Sequence, residues 1–210
     1  MDERRIRKGG ATGGCCDFTP EFSFFYGPAG NVTPACRWRP YDVYNYVRSD
    51  YARLRTELLR SPMDGRNRMA YLNTAFDFVT FAGVFRERAE FAIVQPSGYV
   101  VFHLLDVDVK EAKRVLRSQT VLKTVLIFTD VFGSGLVWVV RNDSGKSHVD
   151  FWREMAFYVY DTFGYDVEID FKTLSSVCFL PYDRSAYISP EYLNGGRCFV
   201  NDIVNARSGD

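Results

Sequence analysis

The stretch Tyr99-Val100-Val101-Phe102-His103-Leu104-Leu105-Asp106-Val107-Asp108 decides how this chain is read. It follows the turn former Pro96-Ser97-Gly98 and is apolar from Tyr99 to Leu105 apart from His103. A short apolar run bounded by turn residues is a buried strand. Asp106 and Asp108 close the run, and a charged helix is expected from Val109 to about Arg117. If the strand continued through residue 108, the two carboxylates would share one face of the sheet. Many phosphoryl-transfer enzymes present acids to a divalent cation in that way. The same pair also reads as a plain strand-to-helix turn. Asp108 has Glu111 three residues on, the spacing of a capping box, and pattern alone favours the cap.

Outward from this stretch the pattern stays regular. A strand is expected at Val125–Phe128, a hairpin turn at Gly133-Ser134-Gly135, and a partner strand at Leu136–Val140. Ser147, with Asp150 three residues later, opens a second helix. Val149, Trp152, Met155, Ala156, Val159 and Phe163 line its inner side, and Gly164 ends it. Short strands are expected at Val167–Asp170 and Val177–Leu180. The order is strand, helix, strand, strand, helix, strand. That is the split β-α-β arrangement of a ferredoxin-like or RNA-recognition-motif-like α+β core, an antiparallel sheet (βαββαβ) with both helices on one face.

Upstream lies an α+β amino-terminal extension. It has a strand at Phe22–Tyr26 and a helix from about Tyr41 to Arg60 striped by Val43, Val47, Tyr51, Leu54 and Leu58. A polar loop at Met63–Arg68 follows, then an undecided helix or strand from residue 69, an extended segment at Val79–Phe85 and a strand at Phe91–Val94. Residues 1–16 are charged and Gly-rich and read as a mobile arm. Residues 17–192 form a single domain with its core at about 90–183, and 193–210 are a tail.

Composition bounds the function. The chain has 210 residues, 47% hydrophobic and 25% charged, enough for one globular unit with a core. Its 26 basic and 26 acidic residues balance, which excludes a polybasic nucleic-acid clamp and leaves only local basic regions. Five cysteines (Cys15, Cys16, Cys36, Cys178, Cys198) show no metal-ligand spacing and suit a reducing cytoplasm. No signal core or membrane span is visible, so a cytoplasmic location without membrane contact is expected. The histidines, His103 and His148, read as a core residue and an exposed first-turn residue. Ser144-Gly145-Lys146-Ser147 has the tail of a phosphate-binding loop, but the motif's first glycine would fall on Val140.

Several segments taken together resemble the VirE amino-terminal domain, a branch of the archaeo-eukaryotic primase superfamily found in mobile elements and phages. They are Val79–Phe85, Pro96-Ser97-Gly98, the Asp106–Asp108 region, Phe132-Gly133-Ser134-Gly135-Leu136, His148–Trp152, Glu168-Ile169-Asp170 and Cys178–Asp183. The resemblance implies a primase-polymerase-like domain of DNA replication that binds single-stranded DNA and nucleotides. It implies metal-dependent nucleotidyl transfer by Asp106, Asp108 and Asp170, with Mg²⁺ or Mn²⁺ as cofactor. Gly133, Ser134, Gly135 and Arg141 would contact nucleotide phosphates. A helicase-like partner would come from another chain. The sequence departs from the family pattern at three places. Val137 stands where the family has a lysine, and Ser176 where it has an arginine. Counted from Ser97-Gly98, the family's Asp-x-Asp falls on His103-Leu104-Leu105, which makes His103 the alternative metal-site position. These departures point to weakened or lost catalysis, and then to a non-catalytic nucleic-acid-binding module or interaction adaptor.

Overall fold

The computed structural model describes residues 19–193. The arm 1–16, Cys15, Cys16, Cys198 and the tail beyond residue 193 lie outside the described residues. The chain begins with β1 (Phe22–Phe25), β2 (Cys36–Trp38), α1 (Pro40–Val47), α2 (Asp50–Arg60), α3 (Gly65–Ala75) and β3 (Phe78–Thr80). A hairpin of β4 (Gly83–Phe85) and β5 (Ile93–Pro96) leads to β6 (Tyr99–Leu104), α4 (Val109–Ser118), β7 (Lys123–Thr129), β8 (Leu136–Arg141) and α5 (His148–Phe163). The short strands β9 (Cys178–Phe179) and β10 (Tyr187–Ile188) complete it. The fold is therefore mixed α+β with antiparallel sheets and five α-helices among the described residues.

The central sheet has the order β10-β7-β8-β6. Both β6 and β7 run antiparallel to β8, so they are parallel to each other with β8 between them. A second sheet, β2-β1-β3-β9, is built by the amino-terminal part and one late strand. The period-2 alternation of β6 assigns its faces. Val100, Phe102 and Leu104 pack with Ala112, Leu116, Phe151, Trp152 and Val159 of α4 and α5. Tyr99 and Val101 join the other core, with Phe22, Phe24, Trp38, Val43 and Tyr46. Cover on both faces explains why the run reads as continuously apolar. His103 belongs to the second face, at the end where β6 stops.

Several expectations need correction. The helix expected over Tyr41–Arg60 is two helices, broken at Arg48 and Ser49; Ser49 is extended (φ −82°, ψ 155°) and its hydroxyl donates to the Tyr46 carbonyl at 2.6 Å. The break resets the helical phase, so α2 buries Ala52, Thr56 and Leu59 and leaves Leu54 70% exposed. The polar loop Met63–Arg68 is largely the start of α3, because Asp64 caps it by accepting from Asn67 N–H at 3.0 Å. Phe91 is exposed, and the strand of that region is β5, not Phe91–Val94. On α5, Phe151 is buried and Val149 is exposed. Only Val167 of the expected Val167–Asp170 strand pairs, in a bridge to Leu104, and the chain then turns through a 3-10 helix at Ile169–Lys172. Among the described residues no helix is long and apolar enough to cross a membrane.

Candidate functional site

A cleft of about 630 Å³ opens where β6 and β8 meet the loops around residues 130–134 and 168–179. Three local devices shape it. The end of β6 is held by residues 166–168: Leu105 N–H donates to the Asp166 carbonyl at 3.0 Å, and Glu168 N–H to the His103 carbonyl at 2.9 Å. This short pairing carries the Glu168 side chain to His103. The loop after β7 folds around its own Asp130, whose carboxylate accepts from Gly133 N–H at 2.7 Å. Gly135 passes so close that a Cβ there would lie 2.6 Å from the Leu104 carbonyl oxygen and 2.8 Å from Asp130 Oδ2. Finally, Arg60 of α2 donates to the carbonyls of Asp130, at 2.7 Å, and Val131, at 3.1 Å. These bonds fasten the loop to the amino-terminal layer.

His103 is the centre of this site. Its Nδ1 meets Glu168 Oε2, and its Nε2 lies 3.3 Å from Asp130 Oδ2. Ionised carboxylates only accept hydrogen bonds, so a ring held between two of them carries a proton on both nitrogens. Burial alone would lower the imidazole pKa, but the two carboxylates outweigh it and push His103 up to about 9. Burial likewise opposes ionisation of Asp130, yet His103 and the backbone N–H groups of Gly135 and Gly133 hold its carboxyl below the usual range. His103 lowers Glu168 in the same way. The result is an imidazolium, 12% exposed, bracketed by two carboxylates and edged by the Phe171 ring at 5.5 Å.

The residues picked out by sequence are only partly brought together. Asp106 and Asp170 line the cleft with His103 and Ser134. Asp108 does not; its Oδ1 accepts from Lys110 N–H and Glu111 N–H, both at 3.0 Å, as the cap of α4. The strand ends at Leu104, and Asp106 turns into the left-handed region (φ 46°), which a short polar side chain tolerates. The two acids of Asp106-Val107-Asp108 therefore do not share a sheet face. Gly133 directs its N–H to Asp130, so it is not open to a phosphate. Arg141 stands at the far end of β8, paired with Asp143 at 2.7 Å and opposite Tyr99 in register, remote from the cleft. His148 is half-buried, contrary to the exposed position expected, and burial lowers its pKa. Lys146 of the Ser144–Ser147 stretch is ion-paired with Glu154, and Ser147 caps α5 by accepting from Asp150 N–H at 3.2 Å.

The donor set bears directly on the implied divalent ion. Asp108 is committed to a cap, Asp130 and Glu168 to an imidazolium, and Leu105 offers no donor. Among the described residues no group of three or more His, Cys, Asp or Glu side chains is disposed to hold a metal ion. The arrangement does not fit a two-ion site.

Two residues of the site, Asp130 and Glu168, are not predicted from the sequence. Asp130 carries a faint signal in sequence: an Asp closing a strand with a glycine three residues on, a spacing that lets its side chain accept from the turn backbone. Glu168 enters only as part of the Glu168–Asp170 segment of the resemblance, and no local pattern marks it, since it meets His103 across 65 residues of chain. Comparison with family models, with curated proteins and with solved structures gives no match.

Proposed function

We propose that this chain is a primase-polymerase-like module of mobile-element or phage DNA replication that holds single-stranded DNA without catalysing nucleotidyl transfer. The observation that carries the reading is His103. It stands at the position to which the resemblance assigns a metal-binding acid, and its protonated ring already neutralises Asp130 and Glu168. A bound cation would have to displace or repel it. Convergence supports the same reading: segments around residues 103–106, 132–134, 168–170 and 176–179, all marked by the resemblance, line one cleft. The sheet is also consistent with a ferredoxin-like core. Helices α4 and α5 share one face, and Val167 bridges the outer edge of β6, where the fourth strand of that arrangement belongs.

The cleft suits a base better than a phosphate. Its acids, Asp106, Asp130, Glu168 and Asp170, outnumber the cations Arg88 and Lys172 even when His103 is charged. Its apolar walls include Leu72, Val131 and Phe179, and Phe132 at the rim is 41% exposed. Ser134, Thr173, Ser175 and Ser176 supply hydrogen-bonding groups. An unstacked base can rest on Phe132 while its backbone stays outside. Fluorescence anisotropy of a labelled oligothymidylate tests this. Binding should be the same in EDTA and in Mg²⁺, and Phe132→Ala should weaken it about tenfold, the value of one stacked base. Binding that requires Mg²⁺, or that ignores Phe132→Ala, contradicts the reading. Asp106 and Asp170, which both line the cleft, favour the catalytic alternative, and primer extension that Asp170→Ala abolishes would establish it.

A further inference from the structure

A second concavity, about 660 Å³, lies between α4 and the segment that carries β10. It is lined by Lys110, Lys113, Arg114, Arg117, Ser185 and Tyr187, and by no acid. In a chain of zero formal net charge this is a local concentration: α4 carries four cations and only Glu111 as an acid. One of the cations is committed, and a second is held only by an exposed pair on its own helix, which a phosphate can replace. Lys113 is buried and bonds Asp183 at 2.5 Å, Ser185 at 2.7 Å and Thr129 at 3.0 Å. Arg114 pairs with Glu111 through two bonds. Lys110 and Arg117 have no carboxylate within ion-pair distance among the described residues, and the Arg117 guanidinium lies 4.7 Å from the centre of the Tyr187 ring.

We infer that this groove binds the phosphodiester backbone of a nucleic-acid strand whose end enters the cleft. Lys110, Arg114 and Arg117 are spaced i, i+4 and i+7 and share one helix face. They extend roughly 10 Å along the axis, enough to meet successive phosphates. Tyr187, packed against the core on β10, holds the Arg117 guanidinium in the groove. The two linings come within three residues of each other in the chain: Asp106 lines the cleft and Val109 the groove, and between them Val107 N–H donates to the Ser134 carbonyl at 2.9 Å. Charge then divides the work: acids at the cleft repel phosphates, and the cations of α4 collect them. An anionic membrane is the weaker fit. Membrane-surface helices pair their cations with exposed large apolar side chains, and none of those on the described residues belongs to α4. The class of occupant rests on the proposed function; the groove itself does not.

The test compares two triple variants, each losing three charges. Lys110→Gln, Arg114→Gln, Arg117→Gln removes the groove face; Arg53→Gln, Arg66→Gln, Arg153→Gln removes exposed charges elsewhere. Thermal melts confirm that both fold. With labelled oligothymidylate, the groove variant should bind at least about tenfold more weakly. Its slope of log affinity against log salt should fall by about 2, near 0.7 for each lost phosphate contact. The control should change little. Equal losses in both variants, or none in the groove variant, overturn the inference. So does groove-dependent binding to phosphatidylserine vesicles without oligonucleotide binding. If the groove variant loses the strand while Phe132→Ala does not, the groove stands and the cleft reading falls. If Phe132→Ala loses it and the groove variant does not, the reverse holds.

Discussion

At His103 the energetics of the site reduce to one proton. The imidazole's ordinary pKa of about 6.5 is raised in the folded chain to about 9. A raised pKa means that folding favours the protonated ring, so its stabilisation is complete below about pH 6.5 and is lost as pH rises towards 9. A shift of that size corresponds to roughly 3 kcal/mol. Asp130 and Glu168 are shifted down, so their contribution runs the other way and is lost as pH falls below the ordinary carboxylate range. Urea unfolding at pH 6 and pH 9 checks this against His103→Gln. The variant should be the less stable of the two at pH 6, and the gap should narrow by pH 9. A constant gap would show that the ring's charge contributes nothing. Sequence reading placed His103 in a strand and offered it as the alternative metal position. It could not see the bracket, because Asp130 and Glu168 arrive from loops 27 and 65 residues away.

Elements with a strong period or a chemical punctuation mark were legible. β6, β7 and β8 announced themselves through apolar runs between turn residues. α4 and α5 did so through their caps, Asp108, Ser147 and the left-handed Gly164 at φ 70°. The cap reading of Asp108 is also the one that the geometry bears on most directly. Asp108→Ala should cost about 1 kcal/mol in unfolding free energy, the usual value of a lost N-cap. It should leave oligothymidylate affinity unchanged, whereas a metal-binding Asp108 would take binding or activity with it. What stayed hidden was local structure decided by distant partners. The kink between α1 and α2 separates Val43 and Val47, which are buried, from Leu54, which is not. β9 and β10 have two residues each and exist only because β3 and β7 present free edges to them. A two-residue strand has no period to read.

At the scale of the whole molecule, the central sheet is a partition. One face holds α4 and α5; the other is covered by β1, α1 and the late segment 178–192. The amino-terminal layer takes most of that second face. The cleft lies where β6 ends and β8 begins, and there Arg60 ties the 130–134 loop to α2. On the proposed reading the layering sets where a ligand enters, and His103 offers it a fixed organic cation in place of an exchangeable metal ion. Titration with Mn²⁺ followed by electron paramagnetic resonance tests that claim most directly. No saturable Mn²⁺ site that responds to Asp106→Ala or Asp170→Ala is expected. A stoichiometric Mn²⁺ site in the unaltered chain, lost in both of those variants, would contradict it.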